Sequence, residues 1–139
     1  MTIPPSTIEL DAIRQGYDAD PARSLSLRAE AYTEPRWHQL DLSEIIAKTW
    51  QWVCHVEKLR KPGSFLTIEI AGKPIAIVRD REGVLRAFYN VCKHRAHELL
   101  SGEGEISKIM CPYHAWTYKL SGELARAPHT EALKDFDMK

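Results

Sequence analysis

Apolar positions change their spacing near Trp50. Residues 1 to 32 carry Pro4, Pro5, Gly16 and Pro21 with no sustained period, which predicts an arm that packs only with help from elsewhere. From Thr33 onward, TEPRWHQLDLSEIIAKTW predicts a helix. Thr33 stands before Glu34 and Pro35 as a start signal, and Trp37, Leu40 and Ile45 follow at helical spacing. Asp41-Leu42-Ser43 is where a break and restart would fall. Beyond Trp50 the segments WQWVCHV, SFLTIEI, KPIAIVRD and VLRAFYN are short, β-branched and aromatic, and several alternate apolar with polar, as half-buried strands do. KPG at 61–63, AGK at 71–73 and DREG at 80–83 separate them with turn chemistry. ISKIMC and AWTYKL predict two more strands, and SG at 121–122 a further turn before ELARAP. Strands following one another without helices between them predict a mainly β fold, an antiparallel sandwich or small barrel. No internal repeat or low-complexity segment is visible.

Composition narrows the function. The chain has 139 residues, enough for one domain with a sizeable core. Its 19 Lys and Arg balance 19 Asp and Glu, so no basic excess points to a nucleic-acid or anionic-membrane partner. The N-terminal residues lack a basic start followed by an apolar run, so no secretory signal is visible. Apolar stretches such as PIAIV are too short to span a bilayer. Cys54, Cys92 and Cys111 are odd in number and sparse, which argues against a disulfide framework. A soluble, cytoplasmic protein is expected, in which cysteines near histidines point to a metal.

Two cysteines each have a histidine two or three positions further on: Cys92-Lys93-His94 and Cys111-Pro112-Tyr113-His114. Both fall at predicted strand ends. The intervening chain, with Gly102 and Gly104 supplying a tight bend, would return so that the two loops face each other. Three readings follow. Cysteine is often merely a small buried apolar residue. Two thiolates with two imidazoles also suit tetrahedral zinc, although zinc sites usually pair Cys with Cys and His with His. Here each loop gives one of each. That order suits a two-iron cluster in which each loop's cysteine holds one iron and its histidine the other, the Rieske arrangement.

Charge gives such a centre its use. An oxidised [2Fe–2S] core carries two positive charges, so four thiolates leave it doubly negative and hard to reduce. Two thiolates and two neutral imidazoles leave it near zero, and the potential rises from about −400 mV to between about −150 and +300 mV. One-electron transfer needs no bound substrate.

Around these loops the sequence resembles the Rieske domain of ring-hydroxylating-type, non-haem iron oxygenase α subunits. NVCKHRAHELL resembles the family's N-x-C-x-H-R segment, and CPYHAWTYKLSGEL its C-P-Y-H-G-W-x-Y-x-x-x-G-x-L segment. The resemblance runs from about residue 30 to 130, with Trp50, Pro62-Gly63, Arg79-Asp80 and Gly83 at matching places. It implies that Cys92 and Cys111 bind an inner iron and His94 and His114 an outer, more exposed one. The resemblance thus divides the chain into an arm and helix at 1–49, a Rieske domain at 50–130 and a polar tail at 131–139 leading toward a catalytic domain. Ala96 and Ala115 depart from it, standing where most members have glycine. HRAHELL with YHAW is most similar to the branch acting on quaternary ammonium compounds such as carnitine, choline or betaine.

Several residues surround the proposed cluster. Arg95 either steers an acidic partner or is a solvated surface arginine. Trp116 and Tyr118 are expected to wall the cluster from water, and Pro112 to shape the second loop beside Tyr113. Arg95, Ala96 and Tyr113 leave no cysteine for the disulfide clamp of respiratory Rieske proteins, and Trp116 occupies the region of their cluster-bonding serine. A potential near the low end of the Rieske range is therefore expected, suited to an NAD(P)H-fed system. His97 is expected to be a packing or surface histidine, and Cys54 a buried thiol. His38, His55 and His129 have no evident companions.

The resemblance implies an electron relay fed by an NAD(P)H-dependent reductase or ferredoxin. Its acceptor would be a mononuclear iron domain, in a homotrimer belonging to the neighbouring subunit. Nothing after His129 resembles the ligands of that second iron, so no hydroxylation is expected from this chain alone. A stand-alone Rieske ferredoxin is the alternative, against which residues 1 to 49 resemble the α-subunit leader; a structural zinc module comes third.

Overall fold

The computed structural model describes residues 7–130 and 132–136. They fall into two compact units, residues 1–51 and 52–139. In the first unit a helix, α1 (Thr7–Arg14), lies within the segment expected to be an irregular arm. Pro4 and Pro5 of that arm lie outside the described residues. A short helix α2 (Glu30–Thr33) precedes α3 (Pro35–Glu44). The start signal is displaced by one residue: Glu34 is the extended N-cap and Pro35 opens α3, where its missing N–H costs nothing. Thr33 belongs to α2, and its hydroxyl bonds back to the Ala29 carbonyl at 3.1 Å. The helix runs unbroken through Asp41-Leu42-Ser43 and yields to a 3₁₀ turn, Ile46–Lys48. Trp37 is its buried residue, whereas Ile45 is exposed.

The second unit holds the β structure. Strands β1 (Ser64–Ile70), β2 (Lys73–Arg79) and β3 (Leu85–Tyr89) form an antiparallel meander, and β4 (Glu103–Glu105) adds to β1, giving the order β3-β2-β1-β4. The register pairs Phe65 with Val78 and Ile77 with Ala87. Ala76 and Val78, two apart on β2, are fully buried, as alternation along a strand requires. A second sheet, β5-β6-β7, comprises Ile109–Met110, Thr117–Tyr118 and Leu124–Arg126. The mainly antiparallel fold expected from the alternation is thus present.

Two expectations fail here. WQWVCHV forms no strand: residues 50–55 have no regular structure and Val56–Leu59 is a 3₁₀ turn. Trp50 and Trp52 are exposed, so the alternating apolar residues face no sheet partner. Second, of the two glycines assigned to one bend, only Gly102 adopts positive φ, at 75°. Gly104 lies inside β4 opposite Phe65, whose ring would sit 3.2 Å from a Cβ there.

The core that positions the site gathers Phe65, Val78, Leu99, Ile109, Tyr118 and Leu120 with Cys92, Cys111 and Trp116. Gly63 locks the sheet beneath it. Its φ of 90° suits glycine, and a Cβ there would lie 2.3 Å from the Ile106 carbonyl oxygen. Its N–H and C=O bond Arg79 and Ile106 at 2.8 and 2.9 Å. Among the described residues no helix is long and apolar enough to cross a membrane.

Candidate metal centre

The first loop leaves β3, and the second joins β5 to β6. Both are built on the same frame. Ala96 N–H donates to the Cys92 carbonyl at 2.8 Å while Cys92 N–H donates to the His97 carbonyl at 2.8 Å. Ala115 N–H likewise donates to the Cys111 carbonyl at 3.0 Å, and Cys111 N–H to the Trp116 carbonyl at 2.8 Å. Closing each loop this tightly needs a left-handed residue at its fourth position after the cysteine. Ala96 and Ala115 supply it at φ of 54° and 59°, a conformation that favours glycine.

Asn90 anchors the first loop and was not singled out by sequence reasoning. It is fully buried. Its side-chain NH₂ donates to the Leu100 carbonyl at 2.7 Å and to Glu98 Oε1 at 3.0 Å, and its oxygen accepts from Leu100 N–H at 3.0 Å. An amide with donors and an acceptor on one head can bridge both ends of a loop, whereas an acid cannot. The signal was its fixed place two residues before Cys92.

The four candidate ligands separate into two pairs. Cys92 and Cys111 are both 2 % exposed, unlinked by any disulfide, and belong to the same core cluster. His94 and His114 are half-buried at the rim, their ring centroids 4.7 Å apart at 68°. Among the described residues, no three His, Cys, Asp or Glu side chains gather round one point as a mononuclear zinc site needs.

Electrostatics prepares one member of each pair, Cys92 and His114. Burial alone pushes the Cys92 thiol up. The Tyr118 hydroxyl, the N–H groups of His94 and Arg95 and the Cys111 thiol outweigh it, so the net shift is downward, toward the thiolate that metals bind. Tyr118 does more than exclude water. Its hydroxyl lies 3.3 Å from Cys92 Sγ and accepts from Lys93 N–H at 3.0 Å. Burial and the adjacent thiol push its own pKa up to about 12, so it keeps its proton and donates to sulfur. His114 is shifted down, first by desolvation and then by the positive fields of His94, Arg95, His129 and His97. The imidazole is therefore neutral and ligand-ready near neutral pH.

Rings pack around the rim. Trp116 is buried and stacks on His94, centroids 4.9 Å apart and planes within 7°. Tyr113 covers His114 at 3.8 Å and is itself exposed, with His97 5.7 Å beyond it. Pro112 and Arg95 are exposed, and no carboxylate pairs with Arg95 among the described residues. Of the other histidines, His55 Nδ1 caps the 3₁₀ turn by accepting from Glu57 N–H at 3.3 Å, and His38 is exposed. His129 contributes to the downward shift of His114. Cys54 is half-buried rather than enclosed.

These residues fit a [2Fe–2S] cluster. Its sulfur-ligated end needs two adjacent thiolates and its other end two neutral imidazoles. His114 Nδ1 is closed off from water and has no hydrogen-bond partner, an expensive state for a buried nitrogen unless another group completes it.

Known proteins share this sequence and fold. The chain is 42% identical over 124 residues to the carnitine monooxygenase oxygenase subunit of Escherichia coli (strain K12), covering 88% of this chain and 33% of that protein. It is 41% identical over 117 residues to the glycine betaine monooxygenase oxygenase subunit of Pseudomonas aeruginosa (strain UCBPP-PA14), covering 84% and 27%. The apo structure of the quaternary ammonium Rieske monooxygenase CntA superposes with a TM-score of 0.75 at 44% identity, over 79% of this chain and 32% of that one. The chain thus spans about a third or less of the length of the relatives it matches. Residues 49–137 match the family described as the Rieske [2Fe-2S] domain, and the chain belongs to that family.

Proposed function

We propose that the chain is the one-electron relay of a Rieske non-haem iron oxygenase α subunit, with Cys92 and Cys111 holding the inner iron and His94 and His114 the outer one. The observation that carries the reading is the division of four donors into a buried thiol pair and a rim imidazole pair, with His114 Nδ1 buried and unpartnered. When bound, a cluster of this ligation supplies a one-electron couple between about −150 and +300 mV. Cys92 offers a thiolate favoured by its hydrogen bonds, Tyr118 donates to its sulfur, and Trp116 keeps water from the imidazole side. Residues 50–130 form the relay domain in this reading, 1–49 its leader, and 131–139 the start of a linker toward a catalytic domain.

The donor is an NAD(P)H-dependent reductase or ferredoxin, and the acceptor a mononuclear iron, which in a homotrimer belongs to the neighbouring subunit. Relatives named for carnitine and glycine betaine support a quaternary ammonium compound as the substrate of the whole enzyme. The reduced thiols suit the cytoplasm. EPR of the dithionite-reduced 139-residue chain tests the reading: an average g typical of mixed nitrogen and sulfur ligation is expected. A colourless protein carrying one zinc per chain, or the spectrum of an all-thiolate cluster, refutes it.

A further inference from the structure

The tail is not uniformly polar in its placement. After β7, the buried Ala127 accepts from the Thr130 hydroxyl at 2.7 Å, and Leu133 N–H bonds the Thr130 carbonyl at 3.0 Å. His129 takes a left-handed φ of 66° between them. These turns fold the segment back on its own unit. Leu133, Lys134 and Asp135 remain exposed, whereas Phe136 is half-buried and packs against the core. Its ring meets Trp116 at 5.7 Å and 75°, an edge-to-face contact, and Trp116 in turn lies parallel to His94.

We infer that Phe136 is a positioning residue for His94, acting through Trp116. A stacked imidazole takes its plane from the indole beneath it. That indole keeps its angle only while something braces it, and the edge contact from Phe136 is such a brace. The plane of a rim imidazole decides where its outward N–H points, and so the direction in which the site meets a partner. The inference rests on the reading of His94 as an iron ligand, but its geometry belongs to the polypeptide.

The test uses the whole chain in two states. In the metal-free chain, NMR reads the His94 ring protons, held upfield by the ring current of Trp116. Phe136→Ala moves them toward free imidazole, and Phe136→Tyr keeps them in place. Phe136→Leu retains bulk if the alanine variant folds poorly, so a shift in either variant supports the inference. Leu133→Ala, on an exposed neighbour, leaves the resonances unmoved. In the loaded chain, Phe136→Ala speeds loss of iron to a chelator by about two- to tenfold and alters the EPR anisotropy. Wild-type His94 resonances in both Phe136→Ala and Phe136→Leu overturn the inference, as does an equal shift in Leu133→Ala. A wild-type chain without a mixed-ligand EPR signal refutes the ligand reading instead, leaving the metal-free result to stand.

Discussion

Removing one oxygen atom tests how the protein tunes its thiolates. Tyr118→Phe keeps the ring in the core and deletes the hydroxyl that sits 3.3 Å from Cys92 Sγ. Reduction adds negative charge that is shared by the ligating sulfur, so an O–H···S bond strengthens when the electron arrives and favours the reduced state. A hydrogen bond contributes a net of about 1 kcal/mol. For a one-electron couple about 1.4 kcal/mol corresponds to about 59 mV, so the bond is worth about 40 mV. The variant should therefore show a potential about 40 mV lower, measured by EPR-monitored redox titration with cluster content checked by absorbance. Because the Tyr118 pKa is pushed up to about 12, the hydroxyl remains a donor through neutral pH, and the difference should stay constant there. An unchanged or higher potential in a fully loaded variant would refute the argument. It would mean that the hydroxyl serves Lys93 N–H, 3.0 Å away, and leaves sulfur indifferent.

Other perturbations separate structure from tuning. Ala96→Gly and Ala115→Gly relieve left-handed strain and should each stabilise the metal-free chain by about 0.5–1 kcal/mol after the glycine entropy cost, read by urea denaturation; a loss of stability at both sites contradicts the strain account. Asn90→Ala strands the N–H and carbonyl of Leu100 and should cost about 2–4 kcal/mol in the same assay, whereas a near-neutral result would mean that water replaces the amide. Asp80 is buried, which would raise its pKa, but Arg86 Nε at 2.8 Å and Val84 N–H at 2.7 Å hold it below the usual carboxylate value. Its stabilisation is therefore present above the unfolded value of about 3.9 and is lost as pH falls through the folded one. Wild type should exceed Asp80→Asn in thermal stability at pH 7, with the gap closing below about pH 4; a pH-independent gap would assign the effect to packing.

The sequence carried most of what sidedness and spacing can encode. SFLTIEI became β1 with the same bounds because its apolar residues have a core to face. WQWVCHV shows similar alternation yet forms no strand, since pattern alone does not say whether a partner strand or a buried surface is at hand. The opposite error hid β4: Glu103-Gly104-Glu105 has no apolar side chain and joins β1 through backbone pairing alone. At the site, the Cys/His spacing drew attention to four side chains, whereas the positive φ of Ala96 and Ala115 is visible only in the backbone. The aim of the Tyr118 hydroxyl was not legible, because alternation gives the face of a strand and not the atom met across the core. Phe136 was hidden for a related reason. In TEALKDFDMK it is one aromatic among polar neighbours, and only folding brings it to Trp116, 20 positions earlier in the chain.

The depth difference between the two donor pairs sets an order of attack. Both thiols are 2 % exposed while the imidazoles stand at the rim, so a chelator, peroxide or competing ion arriving from solvent meets nitrogen first. Wear on this protein should begin at its histidine end and reach sulfur last, leaving repair machinery a remnant still gripped by the core.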